Sequence, residues 1–391
     1  MQDAKPIVAD QALLPAGLQD VLPPNAAYEA ATVERLIAGF GGRGYERVKP
    51  PLIEFEDALL AGAGAALTQQ TFRLMDPVSQ RMLGLRADMT TQVARIAASR
   101  LARAPRPLRL CYAGQVLRVK GTQLRPERQF AQVGAELIGS ASERADAEAL
   151  ALAVEGLGEV GVPNLSVDLN LPPLVGALCE RLALDEATAA RLRQALDRKD
   201  DAAVAELAGA HGALFHGLLR ASGPAERALE RLAALDLPEA VHGEADRLRR
   251  VVDLVQAAQP DLTLTIDPVE HRGFEYHTGV TFTIYARGVR GELGRGGRYA
   301  TAVQGSAGEP ATGFTLFMDS VMRALPRPQA PARVYVPADA PDDAADGLRR
   351  DGWVAVAGLE PVADAAAEAR RLGCSHRLDG GTVTPLDAGA D

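Results

Sequence analysis

A short segment in the first half of the chain combines an amide and a carboxylate at strand spacing. Gln132 and Glu136 flank Val133, Gly134 and Ala135, and this alternation favours a strand in which residues 132, 134 and 136 share one face. An amide and a carboxylate that point together suit the recognition of a small zwitterion. The alternative is a solvated sheet face beside a basic hairpin, and spacing alone leaves both interpretations open.

Two further groups of polar residues could contribute to such a site. Asp88 and Thr90 lie in a polar turn before a predicted helix. An anionic acceptor and a hydroxyl suit an ammonium group, although either side chain could instead cap the helix. A basic run follows, and cations suit a carboxylate or a phosphate. Its basic residues are Arg118, Lys120, Arg125 and Arg128.

The second half of the chain carries three polar blocks in close succession. They are Arg272–His277, Gly294–Tyr299 and Gly313–Ser320. The glycine-rich middle block is not a dinucleotide fingerprint, because the GxGxxG spacing fails and no βαβ pattern surrounds it. We interpret it as a turn that lets the backbone approach a ligand closely.

The elements that must position these residues follow from hydrophobic periodicity. Apolar and polar residues alternate at 165–171, 262–266 and 280–284, which predicts half-solvated antiparallel strands. A helix is predicted from Asn25 to about Ala38. Residues 174–258 have helical periodicity and are predicted to form a helical insert. His211 lies on an apolar stripe of this insert, where a core histidine is more expected than a ligand.

The end of the chain is predicted to be a separate small α/β domain. A proline-rich linker at residues 326–331 precedes it, and the domain covers residues 332–391. This part carries eleven acidic residues, six arginines and no lysine. A surface that binds phosphate would need the opposite balance of charge.

The composition limits the function classes further. The 391 residues include 42 basic and 51 acidic side chains, a net charge of −9, which does not favour a nucleic-acid binder. Cys111, Cys179 and Cys374 are too widely spaced for a CxxC metal site or a disulfide framework. There is no signal peptide and no apolar run of about 20 residues, so a cytoplasmic protein is expected. The histidines show no metal-ligand spacing, and no P-loop, HExxH or G-x-S-x-G motif is present. We therefore expect neither a metal nor a cofactor.

The order and spacing of these blocks resemble those of histidyl-tRNA synthetase, a class II aminoacyl-tRNA synthetase, over residues 13–325. The resemblance implies an α+β fold with a mainly antiparallel sheet flanked by helices, the insert at 174–258 and the C-terminal appendage. It implies a first domain at residues 1–325. It also implies a histidine pocket in which Asp88 and Thr90 hold the α-amino group and aromatic rings line the imidazole site. The expected histidine-binding residues are Asp88, Thr90, Arg118, Gln132, Glu136, Arg272, Tyr276, His277 and Tyr299.

Three positions depart from the synthetase pattern. Ser320 stands where the family has an arginine that clamps ATP, and Lys120 stands where a glutamate helps to position ATP. A small hydroxyl cannot replace a planar cation that binds phosphate or stacks on adenine. His277 replaces a second pocket tyrosine. We therefore expect that the chain kept an amino-acid pocket and lost the nucleotide chemistry, so that no catalytic residues remain.

With these departures the chain resembles the regulatory subunits of ATP phosphoribosyltransferase. The segment Leu196–Asp200 also looks like this family. That resemblance implies a non-catalytic protein that binds L-histidine for feedback inhibition of the first step of histidine biosynthesis. The implied partner is a short-form ATP phosphoribosyltransferase catalytic subunit, with no tRNA and no membrane. Residues 25–55 resemble motif 1, which implies a homodimer within a hetero-oligomer. The alternatives are an active histidyl-tRNA synthetase and a synthetase-like enzyme that modifies another protein, and both would need ATP.

Overall fold

The computed structural model describes residues 13–123, 125–271, 276–301, 308–328 and 331–386. The chain divides into two compact units, Met1–Pro326 and Arg327–Asp391. The linker expected at residues 326–331 spans this division, and residues 329 and 330 lie outside the described part of the chain. The larger unit contains two sheets and the smaller unit contains one.

The larger unit contains a long sheet and a short one. Its strands are β1 (Glu46–Arg47), β2 (Ile53–Phe55), β3 (Arg73–Met75), β4 (Met82–Leu85), β5 (Leu108–Leu117), β6 (Gln129–Ile138), β7 (Leu165–Asn170), β8 (Gly223–Pro224), β9 (Thr263–Asp267), β10 (His277–Ala286), β11 (Gly294–Ala300) and β12 (Pro310–Phe317). The long sheet has the order β1-β5-β6-β12-β11-β10-β7-β9-β8, and the short one has the order β2-β4-β3.

Most strand pairs of the long sheet are antiparallel, as predicted. The prediction of antiparallel pairing is wrong for β7 and β9, which run parallel. The physical reason lies in their connection. Parallel strands require a long crossover, and the helical segment between β7 and β9 provides it.

The larger unit also contains helices. They are α1 (Asn25–Gly42), α2 (Glu56–Leu59), α3 (Thr90–Ser99), α4 (Glu143–Val160), α5 (Pro172–Arg181), α6 (Glu186–Asp197), α7 (Asp201–Ala208), α8 (Gly212–Arg220), α9 (Ala225–Ala233), α10 (Glu239–Ala258) and α11 (Met318–Ala324), with 3-10 helices at Gly62–Gln70 and Gly209–His211. α1 continues beyond its predicted end at Ala38, because Phe40 packs edge to face against Phe314 of the sheet at 5.5 Å. The segment from α5 to α10 occupies the predicted helical insert.

The two faces of the long sheet have different roles. Val133 and Ala135 of β6 belong to a core shared with α1 and α4. On the opposite face, Tyr112, Tyr299 and Phe317 belong to a second core that includes residues of α3. Because side chains alternate along a strand, Gln132, Gly134 and Glu136 lie on this second face. We call it the site face.

One face that the sequence predicts to be half-solvated is buried. Thr281 and Thr283 of β10 expose 0% and 5% of their surface. Both are paired in register with β11, Thr281 with Gly297 and Thr283 with Arg295. These threonines therefore lie on the site face, where neighbouring groups cover them.

One helical stretch, Asp201–Arg220, is long and apolar enough to cross a membrane by length and composition alone. In the structure it consists of α7 and α8 with the 3-10 turn Gly209–His211 between them. Val204, Phe215 and Leu218 of this stretch are fully buried in the core of the larger unit. Only 22% of the stretch is buried, so one side packs on the core of the larger unit and the rest lies at its surface.

The smaller unit is an α/β arrangement, as predicted. Its elements are β13 (Arg333–Val336), α12 (Ala344–Arg350), β14 (Val354–Ala357), α13 (Ala365–Arg371), β15 (His376–Asp379) and β16 (Thr382–Pro385). β13 pairs in parallel with β14 and β15, and β16 adds an antiparallel edge. Val334, Val336 and Leu348 form its own small core.

Candidate functional site

Strand register brings small residues next to the carboxylate of the site face. Glu136 lies opposite Gly313 of β12, and Gly313 lies opposite Gly297 of β11. A Cβ atom on Gly313 would lie 1.8 Å from Glu136 Oε2, so a larger residue there would displace the carboxylate. Glycines from two of the sequence blocks thus provide the space in which the Glu136 side chain lies.

Glu136 is the most deeply buried acid of the site. It exposes 1% of its surface, and it accepts hydrogen bonds from the Tyr112 hydroxyl at 3.1 Å and the Tyr299 hydroxyl at 2.9 Å. Burial raises the pKa of Glu136 to about 8, although hydrogen bonds from Tyr299 and Tyr112 oppose this shift. A nearby cation would favour the ionised carboxylate again, so the residue is prepared for a positively charged group.

Asp88, Thr90 and Gln132 form a hydrogen-bonded group at the edge of the same site. The Gln132 amide donates to Asp88 Oδ2 at 2.9 Å, and the Met89 backbone N–H donates to Gln132 Oε1 at 3.1 Å. The Thr90 backbone N–H donates to Asp88 Oδ1 at 2.9 Å. Gln132 is fully buried and is not among the described cavity-lining residues. Its contact with the site is through Asp88, whose carboxylate it orients.

Aromatic rings form the opposite wall. The rings of Tyr276 and His277 lie 3.9 Å apart at 32°, and Tyr276 meets Tyr299 edge to face at 6.2 Å. Tyr276 is partly exposed, whereas His277 and Tyr299 are buried. A flat, polarisable ligand group can pack against such rings.

These side chains surround a cavity of about 130 Å³. One water needs about 10–15 Å³ on this measure, so the cavity accommodates a small organic molecule. Its described lining residues include Asp88, Thr90, Glu136, Tyr276, His277, Arg295, Tyr299, Phe314 and Phe317. Within the described ranges, no group of three His, Cys, Asp or Glu side chains could hold a metal ion. The cavity combines acidic, basic and aromatic groups, which suits a zwitterion with a flat side chain.

Two predicted site residues stand apart from this cavity. Arg118 is half-buried, its Nε donates to the Ala87 carbonyl at 3.3 Å, and its guanidinium lies 5.2 Å from the Phe130 ring centre. Burial lowers the pKa of Arg118 to about 10, and the nearby Asp88 carboxylate opposes this shift. Arg118 supports the turn that carries Asp88 and is not among the described lining residues. Arg272 lies outside the described residues.

A neighbouring corner of the site face is filled by the chain's own groups. Arg125 Nε donates to Asp319 Oδ2 at 3.0 Å, and the guanidinium stacks on Phe317 at 3.7 Å. Ser320 Oγ accepts from Arg125 at 3.3 Å and from Arg323 at 3.0 Å. We call this group of Arg125, Phe317, Asp319, Ser320 and Arg323 the arginine corner. The resemblance places the ATP clamp at Ser320, and two arginines already satisfy this buried hydroxyl.

Sequence reasoning missed two residues of the site. Tyr112 lies opposite Gly134 in the β5–β6 pair and bonds to Glu136, Thr315 and Thr90. Its only sequence signal is its position in an alternating strand that pairs with β6. Arg295 lines the cavity, and it precedes Gly297 and Tyr299 at the spacing of one strand face. That spacing could have identified it.

The segment Leu196–Asp200 forms the junction between α6 and α7. Asp197 Oδ1 accepts from the His271 backbone N–H at 2.9 Å, immediately before the sequence block that contains Arg272. Lys199, at a positive φ of 56°, pairs with Asp267 at 2.6 Å. These contacts join the helical segment to the end of β9 and to His271.

Comparisons with known proteins identify the family and the fold of the chain. The family model described as histidyl-tRNA synthetase matches residues 17–321. A protein from Paramagnetospirillum magneticum named ATP phosphoribosyltransferase regulatory subunit is 60% identical over 370 residues, covering 95% of this chain and 97% of that one. A protein of the same name from Rhodospirillum centenum is 57% identical over 381 residues, covering 97% and 98%.

A solved structure shows the same architecture. It is described as an ATP phosphoribosyltransferase regulatory subunit/histidyl-tRNA synthetase from Bacillus halodurans, and it is 25% identical with a TM-score of 0.79. The match covers 92% of this chain and 96% of that chain. The family model and this structure confirm the predicted class II synthetase-like fold.

Proposed function

We propose that this chain, which belongs to the family of ATP phosphoribosyltransferase regulatory subunits, senses free L-histidine through the cavity around Glu136. In this proposal it assembles in the cytoplasm with a short-form catalytic subunit that carries out the phosphoribosyl transfer. Histidine in the cavity then reports the level of the pathway's end product to that enzyme.

The observation that carries the proposal is the buried Glu136 carboxylate inside a cavity of amino-acid size. Asp88 and Glu136 supply negative charge for the α-ammonium group, with Thr90 beside them. Tyr276, His277 and Tyr299 supply rings against which an imidazole can pack. Gln132 and Arg118 hold Asp88 and its turn in place. The role of Arg272 comes from the resemblance alone.

The arginine corner argues against the two ATP-dependent alternatives. A synthetase, or a synthetase-like enzyme that modifies proteins, needs cations directed at a nucleotide. Here Arg125 and Asp319 are paired while exposing 9% and 8% of their side chains. Leaving one member of a buried ion pair without its partner costs about 3–5 kcal/mol. A nucleotide would therefore have to displace an interaction that the folded chain already makes.

Inhibition by histidine requires a difference in affinity between two states of the assembly. A ligand shifts such an equilibrium only by its differential binding free energy, typically about 1–3 kcal/mol. The Asp197 contact to His271 supports a link between the cavity and the helical segment. Through this link, histidine binding would favour one arrangement of the subunits.

A homodimer is the second part of the proposal, supported by an exposed apolar sheet face. In the short sheet, strand register places Phe55 and Leu74 on either side of Leu83, on the same face as Ile53. Ile53, Phe55 and Leu74 expose 38%, 36% and 36% of their surface. This face adjoins the motif 1-like residues 25–55, and a second copy of the chain would bury it.

Sedimentation velocity tests the homodimer. We expect a dimer for the unaltered chain and a monomer for Phe55→Glu, which places a charge in the apolar face. Leu359→Glu is the matched control, because Leu359 is fully exposed in the smaller unit. A monomeric unaltered chain would refute this part of the proposal.

Reconstitution tests the regulatory function. The chain is mixed with the short-form catalytic subunit of the same organism, and formation of phosphoribosyl-ATP is followed with and without histidine. We expect faster product formation on mixing and loss of that gain when histidine is added. No complex and no change of rate would refute the proposal, and histidine-dependent ATP–pyrophosphate exchange would then support a synthetase.

A further inference from the structure

We propose that Arg295 binds the carboxylate of the ligand and so makes the cavity specific for a free amino acid. This inference rests on the proposed histidine site and adds a residue to it. It concerns the class of molecule that the cavity accepts: an α-amino acid with a free carboxylate, as opposed to an amine or an amide of similar shape.

Strand register places Arg295 on the site face. It lies opposite Thr283 of β10 and Thr315 of β12. Alternation along β11 puts Arg295, Gly297 and Tyr299 on one face, while Arg298 points to the other and binds Asp146 of α4 at 2.8 Å. The threonines beside Arg295 are short, which leaves space above the sheet for the longer arginine side chain.

The distance from Arg295 to Glu136 suits a ligand with two charged ends. Glu136 is on β6 and Arg295 is on β11, two strand spacings or roughly 9.5 Å across the sheet. Arg295 is level with Gly134, so it also lies two residues, or roughly 7 Å, from Glu136 along the strand. The long arginine side chain and the glutamate side chain can therefore approach one ligand from two sides. Both side chains line the same cavity. An ammonium group at Glu136 and Asp88 would leave the carboxylate of the ligand on the side of Arg295. A guanidinium binds a carboxylate through paired, charge-assisted hydrogen bonds.

Two other described arginines near the site, Arg125 and Arg118, do not line the cavity. Arg125 pairs with Asp319 and stacks on Phe317. Arg118 donates to Ala87 and is packed near Phe130. Among the described residues that line the cavity, Arg295 is the only arginine. Arg118 and Arg295 are close enough to repel each other electrostatically, so together they make this end of the site positive.

The test compares L-histidine with L-histidinamide, in which a neutral amide of similar size replaces the carboxylate. Calorimetric titration of the full chain measures both affinities in the unaltered protein, Arg295→Ala, Arg295→Lys and Arg118→Ala. Arg287→Ala is the matched control, because Arg287 is an exposed arginine at the end of β10 and does not line the cavity. Thermal unfolding of each variant checks that it is folded.

We expect the unaltered chain to prefer histidine about 10- to 100-fold, the range for hydrogen bonds between charged partners. Arg295→Ala should remove most of this preference by weakening histidine binding alone. Arg295→Lys should retain part of it, and Arg287→Ala should retain all of it. If Arg295→Ala weakens both ligands equally or neither, or if Arg118→Ala alone removes the preference, Arg295 does not bind the carboxylate. If the unaltered chain binds neither ligand, the histidine site itself is refuted.

Discussion

The cavity around Glu136 and the arginine corner lie on one face of one sheet, and Phe317 borders both. In the cavity, glycines leave space beside an acid that is bonded to tyrosine hydroxyls. In the corner, a cation of the chain is paired with an acid of the chain and covers Phe317. The first region is prepared for a ligand, and the second is already satisfied internally.

In our proposal, this difference is how a synthetase fold keeps an amino-acid site and loses a nucleotide site. A buried charge is costly unless something pairs with it. Glu136 meets this cost by remaining protonated until a cation arrives, which its raised pKa of about 8 allows. Arg125 meets the cost with Asp319, so a nucleotide has no unpaired charge to stabilise at that pair. Loss of the clamp at position 320 is therefore accompanied by closure of the corner.

Removing the Glu136 carboxylate should have the largest effect on histidine inhibition, because it takes away the charged group that distinguishes the cavity from the arginine corner. Glu136→Ala should weaken histidine inhibition of the reconstituted enzyme at least about 100-fold, because a charge-assisted contact is lost in a buried site. Assembly with the catalytic subunit should be retained, because Glu136 is buried and is not a surface contact. The control is Glu206→Ala, an exposed glutamate within α7. Histidine inhibition at its original concentration in Glu136→Ala would exclude this role.

The pH dependence of stability should reveal how much the burial of the Glu136 carboxyl group destabilises the folded chain. The pKa of Glu136 is raised from 4.5 to about 8 on folding, so between these pH values the unfolded chain ionises while the folded one keeps its proton. Stability that is fully present below pH 4.5 is therefore lost progressively up to pH 8. Glu136→Gln removes this cost and should stabilise the free protein at pH 7 by about 3 kcal/mol.

Chemical unfolding at several pH values measures this effect. The advantage of Glu136→Gln should shrink as the pH falls toward 4.5, the ordinary pKa of the carboxyl group. A constant difference between the two proteins across this range would show that Glu136 is ionised in the free state.

Restoring an arginine in the corner should not restore a nucleotide site. Ser320 is buried and accepts hydrogen bonds from Arg125 and Arg323. Ser320→Arg should therefore destabilise the protein by about 1–3 kcal/mol through overpacking, with added repulsion between cations. Thermal unfolding measures the loss, and Ser320→Ala is the control for the hydroxyl. A stable Ser320→Arg variant with histidine-dependent ATP–pyrophosphate exchange would show that one substitution closed the site.

A substitution at the Asp197 junction should have the smallest effect on histidine inhibition. Asp197→Ala removes the acceptor of the His271 backbone N–H and should raise the inhibitory histidine concentration about 2- to 10-fold, the value of one hydrogen bond. Asp200→Ala is the matched control, because Asp200 caps α7 through the Ala203 N–H and does not contact residue 271. If both variants shift histidine inhibition equally, the effect reports general loosening of the helical segment.

Much of the site-bearing sheet could be predicted from local patterns. The period of two in β6 predicted that residues 132, 134 and 136 share a face, and the register with β12 places them there. The helical period of residues 174–258 predicted the helical segment. It did not predict that β7 and β9, which this segment connects, would pair in parallel. That consequence depends on how a crossover connects two strands, which no local pattern contains.

The sequence by itself determined the alternation of side chains, the order of the blocks and the absence of the clamping arginine at position 320. Each of these is a property of neighbouring residues or of one position. Only the tertiary structure decided that Gln132 supports Asp88, that Tyr112 joins Glu136 and that Arg125 pairs with Asp319 across 194 residues. It also decided the raised pKa of Glu136. Burial and pairing depend on groups that are distant in the chain, and only folding brings them together.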